Sequence, residues 1–114
     1  MISVFVKAAD PEHGKLGGKI TLVPTVTGQM DEILWKHKGN KVVESDGSQK
    51  KEFGPYVGRT VLDFVTGELI ISDLTAEDSG GYELEANINS RLRYSNHQVE
   101  VIGKFVWKLC YTHA

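Results

Sequence analysis

Asp78-Ser79-Gly80-Gly81-Tyr82 is the stretch that decides the fold. An Asp-x-Gly-x-Tyr run turns a chain out of a loop joining two sheets, and the tyrosine hydroxyl then bonds back to upstream backbone. This is the tyrosine corner of a two-sheet β-sandwich. Trp35, in the alternating run from Glu32 to Lys38, stands where such a sandwich keeps its central tryptophan. Around this pair the expected structural residues are Gly80 in the turn, Leu84 beside Trp35, and an Arg59–Asp78 ion pair bracing the loop before the corner.

Outward from the corner, apolar positions alternate over short runs separated by turn residues. That is an all-β signature, and no window of helical period competes with it. About nine strands are predicted. The first runs from Ile2 to Ala8, and Asp10 to Gly14 turns the chain. Next come Lys19 to Val23, with Ile20 and Leu22 inward and Pro24 as its stop, and Glu32 to Lys38, with Ile33 and Trp35 inward and Leu34, Lys36 and Lys38 outward. Gly39-Asn40 reads as a hairpin turn into a strand from Lys41 to Glu44. Ser45 to Ser48 is a loop leading to an edge strand, Lys50 to Phe53. Arg59 to Val65 and Glu68 to Ser72 form a hairpin around Thr66-Gly67. Gly81 to Asn87 places Tyr82, Leu84 and Ala86 inward, and Arg91 to Ile102 is the last strand. Within it Leu92 and Tyr94 are even-numbered while Val99 and Val101 are odd, which predicts a β-bulge between Ser95 and Gln98. The additional hairpin after Gly39-Asn40 marks the variable-type form of the immunoglobulin-like sandwich.

A chain of 114 residues holds one domain that can fold without staples. Residues 1–102 are read as the sandwich and 103–114, GKFVWKLCYTHA, as a tail or linker. A formal charge of −2 makes no case for nucleic acid. Cys110 is the single cysteine, so no internal disulfide forms and cysteine usage does not report the compartment. Met1 to Val6 has no basic region or cleavage site, and no run of about 18 apolar residues occurs, so any leader or anchor is expected outside this stretch. No asparagine opens an Asn-x-Ser/Thr sequon.

Three stretches together resemble the membrane-distal domain of the lymphocyte adhesion receptors of the SLAM type (signalling lymphocytic activation molecule). They are GGKITLVP (17–24), EILWKHKGNKVVE (32–44) and above all GRTVLDFVTGELIISDLTAEDSGGYELE (58–85). The resemblance implies a variable-type first domain that lacks the inter-sheet disulfide. It puts Pro24, or Val23, and Leu84 at the places of the missing cysteines, so that Trp35 packs on aliphatic side chains. Burying Leu84 contributes roughly 1.5–3 kcal/mol, on the scale of the roughly 2–4 kcal/mol of a disulfide, so the core can do without the bridge.

The resemblance also implies an extracellular, cell-surface setting and a protein partner, either the chain itself or another immunoglobulin-like receptor. The expected contact is the outer side of the strands lettered G, F, C and C′ in that topology. Its candidate residues are Lys36, Lys38, Lys41 and Glu44 on C and C′, Glu83 and Glu85 on F, and Arg91 and Arg93 near the start of G. A basic, acidic, basic banding follows, able to pair with a like face across a two-fold axis or with a relative of opposite pattern. Contacts of exposed charges are weak, about 0–1 kcal/mol each, so micromolar or weaker affinity is expected. A second reading is a disulfide-free intracellular immunoglobulin domain of a muscle or cytoskeletal scaffold. Such domains have a shorter crossing than the stretch from Lys41 to Tyr56.

No chemistry is legible. Gly14-x-x-Gly17-Gly18-Lys19-Ile20 mimics a phosphate loop but has His13 where that motif needs glycine and Ile20 where it needs Ser or Thr. His13, His37, His97 and His113 lack ligand spacing, and no Ser-His-Asp or Cys-His arrangement is indicated. An enzyme, a metal and a cofactor are therefore not expected, nor is nucleic acid.

Overall fold

Side chains that alternate between water and core fix the strands, and the computed structural model, which describes residues 11–103, bears this out for most of them. The strands are β1 (Pro11–Lys15), β2 (Ile20–Leu22), β3 (Met30–His37), β4 (Asn40–Ser45), β5 (Lys50–Glu52), β6 (Thr60–Leu62), β7 (Leu69–Ile71), β8 (Gly80–Ile88) and β9 (Arg91–Ile102). They form a six-stranded sheet, β1-β9-β8-β3-β4-β5, and a three-stranded sheet, β2-β7-β6. Between the sheets lies one core in which Leu22, Trp35, Val42, Val43, Leu69, Ile71, Leu84 and Ala86 are fully buried. No α-helix occurs among the described residues; two 3-10 turns cover Gly54–Tyr56 and Ala76–Asp78. The expected strand from Ile2 to Ala8 and the tail beyond Gly103 lie outside the described residues.

Trp35 sits opposite Leu84 in the β3–β8 ladder, and its Nε1 donates to the Gly67 carbonyl at 3.0 Å. That bond satisfies the one polar atom of the ring and ties the β6–β7 hairpin to the core. On β2 the fully buried residue is Leu22, while Val23 is 54% exposed and Pro24 half-buried beyond the strand end. The strand-B place of the missing cysteine therefore falls to Leu22 rather than to Pro24 or Val23, because Pro24 has no N–H to continue the ladder.

The corner is built as its sequence demands. Tyr82 donates its hydroxyl to the Asp78 carbonyl at 2.7 Å. The Asp78 carboxylate accepts from the Thr75 N–H at 2.8 Å and from Arg59 through two bonds, Nη1 at 2.9 Å and Nη2 at 3.0 Å. Gly80 has φ +127, and a Cβ there would lie 2.7 Å from Lys38 Cε and 3.1 Å from His37 Nε2, so only glycine fits.

Four expectations need correction. Pro11 to Lys15, expected mostly as a turn, is a strand paired in parallel with Gln98 to Ile102. It lacks apolar alternation because it is the sheet's edge, where Pro11 can open a strand. The first hairpin turn is Lys38-Gly39, both at positive φ, and Asn40 already pairs with His37. The β6–β7 turn is longer than Thr66-Gly67: Gly67 N–H bonds back to the Asp63 carbonyl at 2.7 Å, and the Asp63 carboxylate accepts from Val65 N–H at 2.9 Å. Finally, β8 and β9 pair without a register shift from Gly80↔Val99 to Ile88↔Arg91, so the expected bulge at Ser95 to Gln98 does not form.

Candidate partner-binding face

The uninterrupted β8–β9 register decides which side chains share the outer side of the large sheet. Residues opposite each other in a ladder lie on the same face. Glu83 pairs with Asn96, Glu85 with Tyr94 and Asn87 with Leu92. On the other side of β8, Lys36 pairs with Glu83 and Leu34 with Glu85. A shift in the β3–β4 ladder at Trp35/Lys36 buries both Val42 and Val43 and leaves Lys41 and Glu44 together outside.

The resulting face has two textures. Across β8, β3 and β4 run charges already in partnership: Lys36 Nζ lies 3.1 Å from Glu85 Oε1, and Lys41 Nζ lies 3.1 Å from Glu44 Oε1. Lys41 and Lys51 flank the ring of Phe53, at 5.3 and 5.1 Å from its centroid. Along β9 the face becomes apolar and aromatic, with Leu92 56% and Tyr94 49% exposed. Sequence reading assigned these two no outward role, since an alternating strand normally points its apolar residues at the core.

Lys36, Lys41, Glu44, Glu83 and Glu85 are brought together as expected. Lys38 lies at the end of the face, in the Lys38-Gly39 turn, where it lines a depression with Lys36 and Glu83 and lays its side chain over Gly80. Arg91 and Arg93 are opposite Ile88 and Ala86, two inward-facing residues, and so project from the other side of the sheet. The basic band expected along β9 is therefore absent, and the face reads basic and acidic on β4, β3 and β8, then apolar on β9.

One buried constellation has the look of chemistry. Ser95 Oγ lies 2.7 Å from His97 Nε2, and His97 Nδ1 lies 3.4 Å from Glu12 Oε2. Glu12 accepts from His97 Nδ1, so His97 Nε2 accepts a hydrogen bond from the Ser95 hydroxyl, the order of a serine, histidine and acid triad. Ser95 is only 2% exposed, and its oxygen already accepts the Thr25 N–H at 3.0 Å. A carbonyl substrate has no approach to it, and the trio is a structural tie from β1 through β9 to Thr25. Burial pushes the His97 pKa down, with Glu12 opposing. Among the described residues no group of His, Cys, Asp or Glu is placed to hold a metal ion, and no helix is long and apolar enough to cross a membrane.

Two sheets, a tyrosine corner, a core tryptophan and the β4–β5 hairpin define an immunoglobulin-like domain of the variable type, without a disulfide. No family model matches the chain. Over 89 residues it is 32% identical to human lymphocyte function-associated antigen 3, a match that takes in 77% of this chain and 36% of that protein. The chain thus spans about a third of the length of the curated relative it matches. The solved CD2-binding domain of CD58, the same antigen, aligns with a TM-score of 0.70 at 29% identity, over 78% of this chain and 51% of that one. The first immunoglobulin-like domain of human CD48 aligns at 0.73 with 22% identity, over 90% and 91%. CD84, described with the SLAM family, aligns at 0.73 with 20% identity, over 85% and 100%. The last two speak to the fold. By fold the chain is an immunoglobulin-like domain, and in sequence it is similar to the CD2-binding domain of CD58.

Proposed function

We propose that this chain is the membrane-distal recognition domain of a SLAM-type lymphocyte adhesion receptor, displayed outside the cell, and that residues 1–102 form the domain. It binds another immunoglobulin-like receptor, or a second copy of itself, through the outer side of β9, β8, β3 and β4. The observation that carries this reading is the juxtaposition of exposed Leu92 and Tyr94 with the charge lattice of Lys36, Lys41, Glu44, Glu83 and Glu85 on one continuous side. An aromatic and aliphatic patch edged by charges is the usual make-up of a protein contact, in which the apolar residues anchor and the charges select. Similarity to the CD2-binding domain of CD58 supports a receptor as the partner. The β4–β5 hairpin supports a variable-type domain over the shorter crossing of a cytoskeletal scaffold domain.

The contact is weak, micromolar or poorer, because its charged pairs are exposed and already matched within the chain. Receptors in apposed membranes tolerate this, since many copies act together. Sedimentation equilibrium at low and high salt, with reductant to silence Cys110, tests the self-binding arm. A dimer that weakens with salt and is lost in Lys36→Glu supports contact through the face; a dimer indifferent to both overturns it. A strict monomer removes self-binding. Measured binding to a purified immunoglobulin-like partner then decides, and affinity unchanged by Lys36→Glu with Tyr94→Ser sinks the face.

A further inference from the structure

Arg91 and Arg93 take no part in that face. They stand two apart on one side of β9, about 7 Å from each other along the strand. Like charges so placed repel. Among the described residues neither guanidinium has a carboxylate within ion-pair distance or a hydrogen-bond partner. Both are exposed, so neither is a core residue satisfied in some other way.

They wall a cleft of about 480 Å³ at the end of the sandwich, completed by Val26, Thr27, Ile88 and Asn89. Ile88 is buried and Val26 is packed against the core, which gives a firm apolar floor. Thr27 and Asn89 bring short side chains that both donate and accept hydrogen bonds. Asn89 is held in a two-residue turn with Ser90, at φ 53 and 64.

We propose that this cleft is a second binding site, separate from the protein-binding face, for a single carboxylate-bearing sugar residue at the end of a cell-surface glycan. The guanidinium groups of Arg91 and Arg93 hold the carboxylate, for which their planar fork of donors is matched. Thr27 and Asn89 meet ring hydroxyls, and Val26 with Ile88 carries the apolar side of the ring or an N-acyl methyl. The volume is that of a small-ligand site. Six residues are too short a row to seat an extended peptide, which needs a series of backbone partners, and two cations are too few to track a polyanionic chain.

The test is a two-dimensional NMR titration of the isotope-labelled chain with the methyl glycoside of N-acetylneuraminic acid. The carboxyl methyl ester of that sugar, inorganic sulfate and a diglutamate peptide are run in parallel. Saturable shifts of the Thr27, Ile88 and Asn89 amides by the acid sugar alone are expected. In Arg91→Gln with Arg93→Gln they weaken about tenfold or more, as loss of a charge-assisted pair requires. Both substitutions are on the surface, and an unmoved Trp35 indole signal shows that the fold is kept. Thr27→Val gives an independent variant, expected to weaken binding through loss of one hydroxyl. The proposal is overturned if the acid sugar produces no saturable shift, if the double variant binds as well, or if the ester, sulfate or the peptide binds as tightly as the sugar.

Discussion

The rings of His37 and Tyr82 lie face to face, with centroids 4.2 Å apart and planes 5° from parallel. Each is pinned at its rim. His37 Nε2 donates to the Ser79 carbonyl at 3.0 Å, and its Nδ1 accepts from the Tyr56 hydroxyl at 2.7 Å. Burial disfavours the charged ring, and the neutral form carries its proton on Nε2 because the Ser79 carbonyl can only accept. Through this stack the β3–β4 turn, the 3-10 turn at Tyr56 and the tyrosine corner become one buried unit.

Two buried neutral imidazoles make stability depend on pH. Burial lowers the His37 pKa below its ordinary value, opposed by the hydrogen bond to Ser79, and burial lowers that of His97, opposed by Glu12. A group whose folded pKa is depressed binds protons better when unfolded. Its contribution is complete above the unfolded value, about 6.5, and is lost as pH falls through the folded one. The melting temperature should fall between roughly pH 7 and 5, and less steeply in His97→Gln. A melting temperature flat over that range would contradict the neutral assignments.

The corner's ion pair should be worth more than a surface pair. For Asp78, burial alone would raise the pKa, but hydrogen bonds from Arg59 and the Thr75 amide outweigh it and hold the group below the usual carboxylate range. Asp78→Asn weakens the bidentate arginine contact and the cap at Thr75, so a loss of about 2–4 kcal/mol is expected from denaturant unfolding. Arg59→Lys keeps the charge but not the fork, and should recover only part of that loss. The Asp78 contribution is present above about pH 4 and disappears as pH falls further, so the two variants and the parent should converge in acid.

The Asn89-Ser90 turn offers a gain. Both residues lie at positive φ, a pairing that favours Asn-Gly in a two-residue hairpin. Ser90→Gly relieves the left-handed strain of a residue with a side chain and should stabilise by about 0.5–1 kcal/mol. Equilibrium urea unfolding with an unchanged slope would show it; a decrease would mean that Ser90 makes a compensating contact.

Spacing carried the framework: Trp35, Tyr82, Leu84 and the Asp78 turn each have one residue type that suits their place, so the sandwich was legible from them. What escaped had physical causes. Pro11 to Lys15 has no alternation to read, and its partner, Gln98 to Ile102, is remote in sequence. His37 was hidden because its ring is polar at the rim yet packed on Tyr82, and Glu12 joins Ser95 and His97 only when β1 docks on β9. On β9 the apolar Leu92 and Tyr94 imitate core residues, which made a bulge seem necessary and carried Arg91 and Arg93 to the wrong side of the sheet. Apolar residues left exposed break the pattern by which core residues are recognised.

The exposure of Leu92 and Tyr94 sets the sharpest expectation for the face. If Leu92 and Tyr94 were exposed by chance, Leu92→Ser with Tyr94→Ser would change neither stability nor binding. If they anchor a partner, stability stays within about 0.5 kcal/mol, as for ordinary surface changes, while binding falls by about 2 kcal/mol or more, some thirtyfold, as for central contact residues. Charge reversal at Lys36 should act differently, slowing association at low salt and losing its effect as salt rises, because Lys36 steers rather than anchors. Surface plasmon resonance on both variants separates the roles. A double variant that binds like the parent would leave the charged strands β3, β4 and β8 as the contact and remove β9 from it.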